Sequence, residues 1–205
     1  MPMRDINLIL ASGSPQRKQL LTAAGYTFRT IVPSPTAECG VCSRESPGEL
    51  VARLARQKAA DVAEQLAKAP GGDEIGSEII IACDTVAECV GKILGKPVDR
   101  AHARQMLELL NGREQRVYSG LCVWPRDDRA PQTRVARTML RMEALDEGQL
   151  EEYLDSGLWE GKAGAFGYQD RVEWLCILEG SESNVIGLPM ELLADMLAAA
   201  TQGQR

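Results

Sequence analysis

The chain has 205 residues, 44% of them hydrophobic and 25% charged, with a formal net charge of -6. These values predict one soluble globular domain over 1–205 with a real core, and the acidic balance excludes broad nucleic-acid binding, which needs an excess of Lys and Arg. No apolar run is long enough for a membrane span, and the N-terminus lacks the pattern of a secretory signal; a cytoplasmic protein with no membrane partner is expected.

Ile6 to Ala11 is a short apolar run closed by turn residues, hence a buried strand. Ser14 suits an N-cap with Pro15 at N1, and Gly25 suits the position after the helix end. Tyr26 to Val32 predicts a second strand, and 33–45 a loop rich in Pro, Ser and Gly. S-P-G-E from Ser46 is a capping box that opens a helix to about Lys68. Glu78 to Cys83 is Ile-rich and predicts a central strand. Ala87 to Val90 and Ile93 to Leu94 flank Gly91-Lys92, which predicts a hairpin on a type II′ turn, with Val90 opposite Ile93 and Ala87 opposite Lys96.

Asp99 is the expected cap of a helix ending near Asn111-Gly112. Arg116 to Trp124 and Thr133 to Met142 predict two strands, and Asp146 with Gln149 another capping box and helix. A Gly-rich loop, "GLWEGKAGAFGYQD", precedes a strand over Val172 to Leu178, and a final amphipathic helix starts near Met190. Strands alternate with helices, yet hairpins interrupt them, so a mixed α/β sheet is expected rather than a doubly wound parallel one.

Four stretches could carry chemistry. Gln16, Arg17 and Lys18 occupy the first turn of a helix, where acidic residues suit the partial positive charge better. Backbone N–H groups there, with the hydroxyls of Ser12 and Ser14 and the fork of Arg17, could bind phosphate; a strand-to-helix turn with solvated cations is the plain alternative. Lys58 falls inside the helical stripe of Val51, Leu54, Ala55, Val62 and Leu66, so it must snorkel, pair or meet a ligand. Asp84 ends the Ile-rich strand, where ligands of open α/β sheets gather, and the hairpin would return Lys96 near it; a structural Asp at a turn is the alternative. In "GKAGAFGYQD", Lys162 and Gln169 are the polar candidates, and a Gln amide can read a base edge; a flexible connection is equally compatible. Cys39 and Cys42 form a lone C-x-x-C, and with His102 the only histidine a loop is expected rather than a zinc site. The other four cysteines lie in or beside strand-like stretches and are expected as reduced, small hydrophobes.

Taken in order, "LILASGSPQRKQLL", "AE" at Glu38, "LVARLARQKA", "ACDTVAECVGKILGKPVDRAHARQMLELLNG", "GKAGAFGYQ" and "NVIGLP" resemble the Maf family of nucleotide pyrophosphatases, over about Leu8 to Leu197. The resemblance implies a Maf/HAM1-like α/β fold, a mixed twisted sheet flanked by helices, with two lobes and a deep cleft. It implies hydrolysis of nucleoside triphosphates to monophosphate and pyrophosphate, with Asp84 as proton acceptor. Glu38 and Asp84 would hold a divalent metal, Mg²⁺ or Mn²⁺. Ser12, Ser14, Arg17, Lys58 and Lys96 would contact the phosphates, and Gln16, Thr85 and Gln169 would set base preference. Thr85 and Gln169 resemble the branch acting on dTTP and UTP; the branch acting on 7-methyl-GTP typically carries Gln after the catalytic Asp. Two features depart from the first branch: it usually has Arg where Gln16 stands, and its glutamine is usually followed by glycines where this chain has "DRVEWL". Other modified-nucleotide pyrophosphatases and a non-catalytic nucleotide-binding regulator are the alternatives. A homodimer is also implied.

Overall fold

The computed structural model describes residues 7–37, 45–69, 78–127, 129–170 and 172–201. Its strands form one seven-stranded mixed sheet. β1 (Asn7–Ala11) runs parallel to both β2 (Phe28–Thr30) and β3 (Glu78–Cys89). β3 also carries the short antiparallel β4 (Lys92–Leu94). Next come β5 (Glu114–Pro125) and β6 (Gln132–Met142), and β7 (Leu175–Glu179) closes the far edge antiparallel to β6. Two compact units share the chain. The first comprises Met1–Asp84, Ser119–Ala136 and Gly187–Arg205; the second comprises Thr85–Tyr118 and Arg137–Ile186.

In the first unit the central strands are buried on both faces, which explains their unbroken apolar sequence. Leu8, Leu10, Ile79 and Ile81 pack with Leu21 of α1 (Pro15–Ala23) and with Leu193, Met196 and Leu197 of α6 (Met190–Thr201). The alternate residues Ile9, Ala11, Ile80 and Ala82 pack against Ala55, Ala59 and Val62 of α2 (Pro47–Lys68). Both helix starts follow the sequence signals. Ser14 accepts the Arg17 N–H ahead of Pro15, and Ser46 with Glu49 forms the full capping box. Gly120 marks the tightest approach to α2: a Cβ there would stand 2.1 Å from the Val51 carbonyl oxygen. Leu54, expected in the buried stripe of α2, is half-buried, and Leu50 and Ala59 are buried instead.

The second unit is built on α3 (Arg100–Leu110) and α4 (Glu147–Asp155), capped by Asp99 and by the Asp146–Gln149 box. Their apolar faces share a core with Ala87, Leu140, Met142, Phe166 and Leu175. The expected hairpin forms with a different register. β3 is continuous from Glu78 to Cys89, and Cys89 pairs with Lys92, Glu88 with Ile93 and Ala87 with Leu94. Val90 and Gly91 are the two loop residues, at φ +50° and +75°. Positive φ at both positions is the type I′ geometry, which matches strand twist and puts glycine second, not first. The Glu88 carboxylate secures the turn by accepting the Gly91 N–H at 2.7 Å.

Other differences are local. β2 is shorter than expected, and β7 begins at Leu175 because a turn closed on the Val172 carbonyl takes the preceding residues. A short helix α5 (Glu182–Ile186) had no signal in the sequence. The thiols of Cys83, Cys89 and Cys122 are buried, but Cys176 is exposed on the edge strand. Cys39 and Cys42 lie outside the described residues. Among the described residues, no helix is long and apolar enough to cross a membrane.

Candidate active site

The first unit gathers six of the sequence-predicted residues around the carboxyl ends of parallel strands. β1 and β3 run in register, with Ala11 level with Ala82. Ser12 therefore follows one strand where Cys83 and Asp84 continue the other. Loops at such strand ends are free to carry function while the sheet fixes their position.

Lys58 is buried on α2, as its place on the helical wheel required. Its Nζ donates to Asp84 Oδ1 at 2.6 Å, and the two side chains are only 7% and 14% exposed. Of the fates open to an inward lysine, this one is pairing. The second oxygen, Asp84 Oδ2, accepts no hydrogen bond from a described residue.

The opening loop is folded against itself. Arg17 donates from Nε to the Gly187 carbonyl at 2.8 Å and from Nη1 to the buried Ser12 hydroxyl at 3.1 Å. Ser12 also accepts the Ser14 N–H, and the Ser14 hydroxyl donates to the Gln16 side-chain oxygen at 2.9 Å. α1 has no acidic residue in its first turn. The Arg17 guanidinium is held there by a carbonyl instead, and Lys18 has no side-chain partner among the described residues. The Gly187 carbonyl also accepts from Cys83 Sγ at 3.3 Å. One backbone oxygen thus ties Arg17 to the residue beside Asp84. Sequence reading missed Gly187; its position inside "NVIGLP", at φ +123°, was the available signal.

Thr85, Lys96 and Gln169 belong to the second unit. Thr85 is half-buried directly after Asp84. Lys96 is exposed, lies beyond the last β4 pairing rather than opposite Ala87, and has no partner among the described residues. Gln169 is half-buried in the 3-10 turn Tyr168–Asp170. Lys162 is bound by Asp170 across the same loop. His102 is half-buried, and its Nδ1 accepts the Val98 N–H. Glu38 lies outside the described residues.

A mixed-sheet α/β protein with a buried ammonium–carboxylate pair at its strand ends is the class that fold and geometry define. Within that class, the Maf-like protein family model matches residues 7–200, and the chain belongs to this family. It is 54% identical over 192 residues to a dTTP/UTP pyrophosphatase of Rhodopirellula baltica, covering 93% of this chain and 81% of the relative. It is 36% identical to a dTTP/UTP pyrophosphatase of Geotalea uraniireducens, covering 93% of each. The solved structure of the Staphylococcus aureus Ham1 protein shares the fold at a TM-score of 0.50 and 13% identity, over 97% of this chain and 100% of that one.

Proposed function

We propose that this protein hydrolyses nucleoside triphosphates, dTTP and UTP foremost, to the monophosphate and pyrophosphate. The carrying observation is the buried Lys58–Asp84 pair at the end of the Ile-rich strand, in a chain whose relatives bear that activity in their names. A buried charge is costly unless it is paired, and an apolar residue would suit the stripe at position 58 better. Chemistry at Asp84 gives the buried lysine a use there.

The α-phosphorus of a triphosphate is shielded by anionic oxygens, so the cation supply comes first. Arg17, Lys58 and Lys96 are the proposed phosphate ligands, with the hydroxyls of Ser12 and Ser14. An ammonium has three N–H donors, so Lys58 can hold Asp84 and a phosphate oxygen together. Asp84 Oδ2 takes a proton from water as the water oxygen bonds to the α-phosphorus. The bond from that phosphorus to the bridging oxygen breaks, and pyrophosphate leaves. Fixed cations stabilise the charge that moves onto the leaving group.

A divalent cation of the Mg²⁺ type fits this donor set. Such ions take one or two carboxylates plus substrate phosphate oxygens rather than a protein cage. Asp84 offers a carboxylate oxygen that no described residue donates to, and the described residues contain no larger cluster of ligating side chains. Asp84, with Glu38 as the expected second ligand, would hold the ion, which would polarise phosphoryl oxygens. Thr85, Gln169 and Gln16 are the proposed base-reading residues. We assign the two units to one Maf-like domain of a cytoplasmic homodimer, which sedimentation analysis tests.

The test is pyrophosphate release from dTTP, UTP, CTP and 7-methyl-GTP by the wild type and Asp84→Asn. Release from dTTP and UTP that Asp84→Asn abolishes supports the proposal. Preference for 7-methyl-GTP would move the protein to the other branch. Orthophosphate as the only product, or nucleotide binding without turnover, would end it.

A further inference from the structure

The residues from Lys162 to Asp170 close on themselves within the second unit. Lys162 Nζ donates to Asp170 Oδ1 at 2.6 Å and also bonds Oδ2, with side chains 12% and 6% exposed. The Tyr153 hydroxyl donates to the same carboxylate at 3.2 Å. Backbone bonds from Ala165 N–H to the Lys162 carbonyl, and from Asp170 N–H to the Gly167 carbonyl, complete the loop. Gln169 sits beside this clamp and makes no hydrogen bond to any described residue. Its Nε2 and the Lys162 Nζ each stand 2.8 Å from where a Gly167 Cβ would be. Amide and ammonium therefore share the space above one glycine.

That proximity gives Asp170 a task. An ammonium this buried needs an acceptor. Both oxygens of Asp170 supply it; when the charge and one of the two acceptors are removed, the side-chain oxygen of Gln169 becomes the competing neighbouring acceptor, and reaching it requires the amide to turn over. Amide orientation decides what a glutamine can read. Uracil and thymine present a carbonyl acceptor at C4 and an N–H donor at N3; cytosine presents the reverse, an amino donor and a ring-nitrogen acceptor. An amide held one way discriminates between them, and one that turns over does not.

We propose that Asp170 is a specificity-positioning residue. By holding Lys162 and Tyr153 it keeps the Gln169 amide free of Lys162 and in the orientation that accepts uracil and thymine over cytosine. The inference rests on the reading of this protein as a dTTP/UTP pyrophosphatase. It also gives a physical use to the acidic residue that follows the glutamine, where the branch it resembles carries glycine.

The experiment measures kcat and KM for UTP and CTP in the wild type, Asp170→Asn and the double variant Lys162→Met/Asp170→Asn. In Asp170→Asn the UTP-to-CTP ratio of kcat/KM should fall about tenfold or more, chiefly through a higher KM for UTP. Removing the competing ammonium in the double variant should restore most of the ratio, which a merely structural loss would not allow. A folded Asp170→Asn with the wild-type ratio overturns the proposal, as does a double variant no better than the single. If Asp170→Asn does not fold, Asp170→Glu keeps the charge and displaces it by one methylene. It should lower the ratio about threefold, and an unchanged ratio again overturns the proposal. A wild type that releases no pyrophosphate from UTP or dTTP removes the underlying reading, and the proposal with it; one that does, with Asp170 without effect on the ratio, removes this inference alone.

Discussion

Replacing Lys58 with methionine should abolish activity and also destabilise the protein, and a second substitution should restore the stability alone. The pair is short, at 2.6 Å, and both side chains are largely removed from water. Breaking a buried pair by deleting one partner costs about 3–5 kcal/mol, because the other charge is left behind. Two features reduce that figure here. Asp84 keeps 14% of its side-chain exposure, so water can reach the orphaned carboxylate, and methionine matches the apolar stripe of Val51, Ala55 and Val62. A net loss of about 2 kcal/mol follows, which in a chain of this length lowers Tm by roughly 4–8 °C. In Lys58→Met/Asp84→Asn no charge is stranded, and Tm should return to within about 2 °C of the wild type. Each single variant and the double should lose about 10²–10⁴-fold in kcat/KM for UTP. Thermal denaturation and pyrophosphate release together make the measurement. A double variant less stable than Lys58→Met, or a fully active Lys58→Met, would refute the reasoning.

Gly120→Ala should cost about 3 kcal/mol or more in urea denaturation, because the new methyl meets the α2 backbone at 2.1 Å and cores resist overpacking. Gly13→Ala, whose nearest neighbour would be a Val32 side-chain carbon at 3.7 Å, should be close to neutral, and equal losses in the two would contradict the packing. Gln115 is fully buried, and neither amide atom bonds to a described residue, so Gln115→Met should raise stability by about 1 kcal/mol. A loss of similar size would instead reveal an internal water on the amide. Burial, then the charge and hydrogen bond of Asp170, push the Tyr153 hydroxyl well above its ordinary range, and burial raises the Cys89 and Cys122 thiols. Above pH of about 8.5 for the thiols and about 10 for the phenol, the unfolded chain loses protons that the folded one keeps. Stability should therefore be complete below those values and fall as pH rises through them. Tyr153→Phe should flatten the decline of Tm above about pH 10, and an unchanged slope there would argue against the buried phenol.

Much of the fold was legible because its signals are local. Ser14-Pro15, Ser46 with Glu49, Asp99 and Asp146 with Gln149 each set a helix start through hydrogen bonds within three residues. The Ile-rich strand was legible because it is buried on both faces. The hairpin register was not, because it depends on Val90 at φ +50°, a conformation that a β-branched residue rarely signals. Lys58 could be placed on a buried face from its spacing alone. Its partner could not, since Asp84 comes from another element 26 residues away. The Arg17–Gly187 bond spans 170 residues, and no periodicity encodes such a contact. Gly120 did carry a signal, a lone glycine inside an apolar strand, but the neighbour it admits is set by packing.

The same contrast gives a physical argument about which residues serve stability and which serve function. Arg17 at the start of α1 and Lys58 in the stripe of α2 both break local rules: a cation where an anion suits, and a charge where a hydrocarbon suits. The structure answers each with specific acceptors: the Gly187 carbonyl and the Ser12 hydroxyl for Arg17, and the Asp84 carboxylate for Lys58. A buried ion pair such as Lys58–Asp84 is often no better for stability than an apolar pair of equal volume. Two such concessions, joined through the one carbonyl that also binds Cys83, are hard to explain as folding devices. In the proposed function they serve an anion-binding site, with the cations fixed in place by partners that a phosphate oxygen can join.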